Sequence, residues 1–188
     1  MIFQMLFRKT IAALFLIILS PIIFIVSLII FISDGLPVFF LQKRIGINNE
    51  FFLLYKFRTM KNNTPEVATD LLKNHKSYHI KFGNLMRKLS IDEIPQLLNI
   101  LKGEMHFVGP RPAFYKQDKL IALRSKKNVH SLRPGITGWA QINGRDNISL
   151  EEKVKLDQFY LNNKNIFLDL KIIFITFLKV FMIKDVKG

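Results

Sequence analysis

Residues 11–32 read Ile-Ala-Ala-Leu-Phe-Leu-Ile-Ile-Leu-Ser-Pro-Ile-Ile-Phe-Ile-Val-Ser-Leu-Ile-Ile-Phe-Ile, a run without one charged side chain. Roughly 20 apolar residues are enough for a helix to cross the hydrocarbon core of a bilayer, so the run predicts a helix in the membrane. A cleaved leader has a shorter apolar core followed by a small-residue cleavage site, and this run has neither feature; insertion is expected. Ser20 and Pro21 stand in its middle. Proline has no N–H to give the carbonyl of Ile17, and its ring crowds that carbonyl, so a bend or break of the membrane helix is expected at this pair. Arg8 and Lys9 precede the run, and Lys43, Arg44, Lys56 and Arg58 follow it. The preference of Lys- and Arg-bearing flanks for the cytoplasmic side favours a helix that enters and leaves by one face. The tolerance of proline in transmembrane helices keeps a kinked span open as well.

Outward from this run, the chain has 188 residues, a length that suits one compact domain. Its 28 Lys+Arg against 14 Asp+Glu leave a net charge of +14, which points to an anionic partner: nucleic acid, phospholipid headgroups or a phosphorylated substrate. Hydrophobic residues make up 49% with 18 Phe, a composition that favours lipid over nucleic acid. The aromatic residues sit inside apolar runs rather than between Lys and Arg, unlike a single-strand stacking platform. The absence of cysteine excludes disulfides, thiolate chemistry and cysteine-based zinc sites.

After the membrane run, Leu36–Leu41 and Phe51–Phe57 read as the strands of a short β-hairpin joined through Gly46 and Asn48-Asn49. Residues 61–78 are polar and predict a loop or a weak helix over Pro65–Asn74. His75 and His79 have the i,i+4 spacing of a zinc pair, but no acidic residue flanks His75 and no third ligand is evident; both are read as solvated surface histidines. Phe82, Leu85, Met86 and Leu89 recur at helical spacing. A second helix opens at Ser90-Ile-Asp-Glu-Ile-Pro95 and runs through Leu101 to Gly103. Ser90 with Glu93 makes a capping box, while Pro95 fits better if Asp92 is the N-cap. A further capping box, Ser149 with Glu152, starts a helix to about Asn162. Residues 166–183 predict an amphipathic helix lying in the membrane interface, with Asp169, Thr176 and Lys179 on its polar face.

The chemistry centres on Asp92 and Glu93. Carboxylates at a helix start commonly do no more than complement the helix dipole. The same dipole keeps them ionised, however, and an ionised carboxylate can attack phosphorus, accept a proton or hold a hard cation, so the pair can divide nucleophile and metal or base duties. Lys56, Arg58, Arg87, Arg111 and Arg145 flank the apolar or turn-rich motifs and are candidate phosphate clamps through charge-assisted hydrogen bonds. The prolines on both sides of Arg111 stiffen the backbone that presents it.

Lys56-Phe-Arg-Thr-Met60, Ser90-Ile-Asp-Glu-Ile-Pro-Gln-Leu97, Leu101-Lys-Gly-Glu104, Val108-Gly-Pro-Arg-Pro112 and Arg133-Pro-Gly-Ile-Thr-Gly-Trp-Ala-Gln141 with Asn143-Gly-Arg145 follow one another along nearly the whole chain. Taken together these motifs resemble the bacterial sugar transferase family, the monotopic phosphoglycosyl transferases. The resemblance implies a mostly helical α+β fold: a re-entrant membrane helix over 1–34 broken at Ser20-Pro21, then a small cytoplasmic catalytic domain over 35–188 with a short β-hairpin and interfacial amphipathic helices. It implies transfer of a phosphosugar from a UDP-sugar to a polyprenyl phosphate at the cytoplasmic face of the bacterial inner membrane, through a covalent intermediate on Asp92, with Mg²⁺ held by Asp92 and Glu93. Pro65–Leu71 and Ala113-Phe-Tyr115 are closest to family members that handle N-acetylated 6-deoxyhexoses. The reading from another class is a non-catalytic, basic, membrane-anchored binding protein.

Overall fold

The apolar run forms the long helix α1 (Ile2–Asp34) in the computed structural model, which describes residues 2–65, 75–144 and 148–181. Helical backbone continues through Ser20-Pro21 without a gap, and the Ser20 hydroxyl donates to the Ile17 carbonyl at 2.7 Å, taking the bond that Pro21 cannot make. Side chains three or four residues apart, from Arg8 through Ala12, Leu16, Leu19, Ile23, Val26 and Ile30 to Asp34, form one stripe that packs on the rest of the protein. Ala12 is closed in by Phe52, Leu54, Leu97, Ile100 and Met105; Val26 and Ile30 meet Phe57, Ile80 and Met86. The remaining faces of α1 expose Leu14, Ile17, Ile18, Phe24, Ile25 and Ile32, far more apolar surface than water would leave uncovered.

Strands β1 (Phe39–Ile45) and β2 (Phe51–Phe57) form the expected antiparallel hairpin, in register Phe39 opposite Phe57 to Ile45 opposite Phe51. The first strand is not Leu36–Leu41: it runs on through the polar Gln42-Lys43-Arg44, because the pleat turns alternate residues inward and a strand can carry polar groups toward a site. Asn48 and Asn49 take left-handed backbone in the connection, a conformation Asn tolerates best after Gly. Helix α2 (Gly83–Lys88) realises the helical spacing around Met86. Ser90 is left-handed at φ 56°, makes no side-chain cap, and opens a 3₁₀ turn over Ile91–Gln96; only then does α3 (Leu97–Lys102) begin, closing on Gly103 at φ 81°. The capping box at Ser90 and Glu93 is therefore not formed, because Glu93 is drawn to cations across the site.

Strand β3 (His106–Val108) pairs in parallel with β4 (Gly135–Thr137), a sheet the apolar pattern did not announce. Gly109, Gly135 and Gly138 let the Gly-Pro-Arg-Pro loop and the Arg-Pro-Gly-Ile-Thr-Gly segment touch backbone to backbone; a Cβ at any of the three would collide with the other strand's main chain. Helix α4 (Asp118–Lys126) follows, then the short α5 (Trp139–Ile142) and α6 (Leu150–Asn163), whose Ser149 hydroxyl accepts from the Glu152 N–H as expected.

Helix α7 (Ile166–Phe181) turns polar groups toward the protein. Asp169 accepts from the Tyr160 hydroxyl at 2.7 Å, and Thr176 shares a 2.6 Å hydrogen bond with Thr137, so its polar groups turn toward the protein. Ile166, Phe167, Leu170, Phe174 and Phe177 point outward. Such a helix suits an apolar solvent, where polar groups are satisfied inside and apolar ones face out. The weak helix expected at Pro65–Asn74 lies almost wholly outside the described residues, as does the His75 side chain. The ring nitrogens of His79 are shielded from solvent by the packing around its bridge to Met60, so it is not a solvated surface histidine.

Candidate active site

Four backbone segments bring their charges to one place. Lys56, near the end of β2, sends its Nζ to Glu93 Oε1 at 2.9 Å and toward Asp92 Oδ2 at 3.5 Å. Arg111, between its two prolines, donates from Nη2 to the same Glu93 oxygen at 3.0 Å. Arg87, in the last turn of α2, lies close enough to act on Asp92 through its charge and touches Met60 Sδ at 3.7 Å. Lys56, Arg87, Asp92, Glu93 and Arg111 thus lie close together.

The two carboxylates are not equivalent. Burial alone would raise Glu93, but Lys56 and Arg111 outweigh it and hold Glu93 well below the usual carboxylate range. Asp92, 6% exposed and farther from Lys56, is pushed up by burial and by the charge of Glu93 against the pull of Lys56, Arg87 and Arg111. Asp92 Oδ1 and Glu93 Oε2 accept no hydrogen bond among the described residues. The pair thus presents one unengaged oxygen from each residue, steadied by cations rather than by the dipole of a long helix.

Arg58 does not join them. Arg58 is buried and turned away: it donates to the carbonyls of Asp34, Gly35 and Leu36 and to Asn62 Oδ1, and pairs with Asp34 Oδ2 at 3.1 Å. It fastens the end of α1. Arg145 lies outside the described residues.

Several site-building residues carried no chemical motif. Arg44 donates to Gln42 and to the Pro112 carbonyl at 3.0 Å, and its closeness to Arg111, added to burial, brings it down to about 10. Asn99, completely buried, accepts from the Tyr55 N–H and donates to the Leu53 carbonyl and Glu104, pinning α3 and the turn before it to β2. Arg124 donates from Nη1 to the Arg111 carbonyl at 2.8 Å, while its Nε and Nη2 grip Asp157 Oδ2 at 3.0 and 2.7 Å. Asn99 is a lone polar residue within Leu97–Leu101, a signal that could have been used; the Arg124–Asp157 pair spans the chain and left none.

A buried Asp92 beside a half-buried Glu93, framed by cations on a body that grips an otherwise uncovered apolar helix, is the arrangement expected of a membrane-associated protein that handles phosphate groups. The family described as bacterial sugar transferase matches residues 1–183, and the chain belongs to that family. It is 44% identical to the uncharacterised sugar transferase EpsL of Bacillus subtilis (strain 168) over 187 residues, covering 100% of this chain and 91% of that one. It is 35% identical over 181 residues to the UDP-glucose:undecaprenyl-phosphate glucose-1-phosphate transferase of Escherichia coli (strain K12), covering 92% of this chain and 39% of that one. It is 36% identical over 164 residues to the UDP-N-acetylgalactosamine-undecaprenyl-phosphate N-acetylgalactosaminephosphotransferase of Aeromonas hydrophila, covering 84% and 38% respectively. The chain therefore spans about two fifths of these two longer relatives.

Proposed function

We propose that this chain moves a phosphosugar from a UDP-sugar to a polyprenyl phosphate in two displacements at Asp92. An Asp92 oxygen attacks the β-phosphorus; the bond from that phosphorus to the bridging oxygen breaks, and UMP leaves with the electron pair. The phosphosugar is then an acyl phosphate on Asp92. An oxygen of the polyprenyl phosphate attacks the same phosphorus, Asp92 departs as a carboxylate, and a polyprenyl-diphosphate-sugar results. Lys56 and Arg111 set their positive charge against Glu93 and can shift to the phosphates as they arrive. Glu93, kept ionised by its two cations, is suited to ligate metal rather than to take up a proton.

Mg²⁺ fits the donor set: two adjacent carboxylates, each with an unengaged hard oxygen, and no third acidic or histidine partner among the described residues. When bound by Asp92 and Glu93 it would neutralise diphosphate charge.

The single observation that carries the reading is Lys56 bridging Asp92 and Glu93 beside Arg111, in a chain of this family. Support for a helix whose two ends share one side of the membrane comes from Arg8 on His106 at one end and Asp34 on Arg58 at the other, both fastened to the same body. A bend at Ser20-Pro21 and a cytoplasmic placement complete that reading. For the sugar, Ala113 and Phe114 are turned into the core, which weighs against their contacting an N-acetylated 6-deoxyhexose. UMP release over a panel of UDP-sugars with polyprenyl phosphate tests the function. Asp92→Asn should remove turnover almost completely while the fold and membrane insertion persist, and near-normal turnover in that variant would place the nucleophile elsewhere.

A further inference from the structure

Cations that the proposed reaction does not use gather where α1 and α7 approach β3. Arg8 Nη1 lies 3.2 and 3.1 Å from the two ring nitrogens of His106 on β3. Arg133 donates to the carbonyl of Gly103, the Lys9 side chain runs beside the same glycine, and the exposed Lys164 stands two residues before α7. Burial, then the charges of Arg8, Arg133 and Lys164, lower His106 to about 4, so its ring is neutral at pH 7 while three full positive charges surround it. Two carboxylates lie nearby, Asp169, which accepts from the Tyr160 hydroxyl at 2.7 Å and feels the charges of Arg8 and Lys164, and Glu104, which accepts from Asn99 at 2.7 Å, so the four cations outnumber them.

The surroundings identify what would meet this charge. Leu6 and Phe7 on α1 are 56% and 58% exposed, and Ile166 and Phe167 on α7 are 62% and 81% exposed. With those side chains in the acyl layer, the neighbouring cations stand at headgroup depth. Arg8 and Arg133 contact His106 and Gly103, whereas Lys56 and Arg111 contact Glu93, so the two groups of cations have separate partners. Two of the three are already held by His106 and Gly103, which lowers the entropy lost on closing round a phosphate.

We propose that Arg8, Arg133 and Lys164 form a binding site for the phosphate of an anionic phospholipid, which fixes how the protein sits on the membrane. A zwitterionic headgroup would bring its own cation against these three and bind less well. The inference rests on membrane association and not on the transfer reaction, so a failure of that reaction would leave its readout intact.

The test uses the full chain in detergent micelles doped with phosphatidylglycerol or phosphatidylcholine, with retained lipid counted by native mass spectrometry. Phosphatidylglycerol should be retained in preference to phosphatidylcholine. Lys164→Gln, at an exposed position where no packing is lost, should weaken its retention about fivefold, and Arg8→Gln with Arg133→Gln should weaken it further. Lys119→Gln removes the same charge from an exposed pair with Glu151 on another face and should change nothing. Equal retention of the two lipids, or wild-type retention in Lys164→Gln and in the double variant, would overturn the proposal. Displacement of phosphatidylglycerol by equimolar polyprenyl phosphate in the wild type would also overturn it, by making this a site for the acceptor.

Discussion

Arg124 holds the carbonyl of Arg111 at 2.8 Å, so the guanidinium facing Glu93 is presented by a backbone that a second, buried arginine has fixed. Asp157 on α6 fixes that arginine in turn, which carries the position of Arg111 back to a helix that does not itself touch the carboxylate pair.

Arg124→Lys keeps the charge but loses the fork that grips Asp157 and the carbonyl together. Misplacement of a positioned group by about 1 Å can lower turnover up to about 100-fold, so kcat/KM for UMP release should fall by one to two orders of magnitude. Steady-state kinetics in an Arg111→Ala background separates positioning from mere destabilisation. There Arg124→Lys should have no further kinetic effect, whereas an undiminished effect would remove the link to Arg111.

The acid limb of activity belongs to Asp92 on this reading. Because burial and the Glu93 charge raise Asp92, its ionised, nucleophilic fraction grows as pH rises through a value above the ordinary aspartate figure of about 3.9. Glu93→Gln removes a charge that raises Asp92, so the residual activity of that variant should have its acid limb at lower pH. Lys56→Gln should move the limb the opposite way. A pH profile of kcat/KM checks both signs, and limbs that stay in place would assign the titration to another group.

Arg58 is expected to matter for folding rather than for substrate. Arg58→Lys cannot reproduce its bonds to three carbonyls and Asp34, and each charged hydrogen bond lost should cost about 1.5–3 kcal/mol of stability. Thermal melting should show the loss while KM for the UDP-sugar stays at the wild-type value. A raised KM without a lower Tm would return Arg58 to the phosphate site.

The placement of α1 can be read by chemistry on its ends. A cysteine near residue 3 should be shielded from an impermeant thiol reagent applied outside intact cells, as should a cysteine just beyond Asp34. Pro21→Ala restores the missing N–H, favours a straight helix, and should make the residue-3 position reactive in part of the population. Labelling of the native N-terminal site from outside would exclude a helix with both ends on one face.

α1, α6, the hairpin and the carboxylate pair were legible because each rests on neighbours within a few residues. The apolar run made α1, seven residues on each side of Gly46 and the asparagines made β1 and β2, and Ser149 announced α6 through its own cap. Where local signals conflicted, distant charges decided. The Ser90–Glu93 box failed because Lys56 and Arg111 hold the Glu93 carboxylate more strongly than a backbone N–H can, and Arg58 left the phosphate clamp for the carbonyls at the end of α1.

The sequence by itself therefore determined α1, the hairpin, the helical spacing around Met86, α6 and α7, that one of these segments seeks an apolar solvent, and which short motifs carry charge. Only the tertiary structure decided that the polar groups of α7 face inward, that Asn99 and Arg124 position the site, and that one carboxylate of the pair is held low while the other is raised. The physical reason is range. Periodicity and capping act over three or four residues, whereas desolvation and ion pairing depend on which distant segments fold against one another.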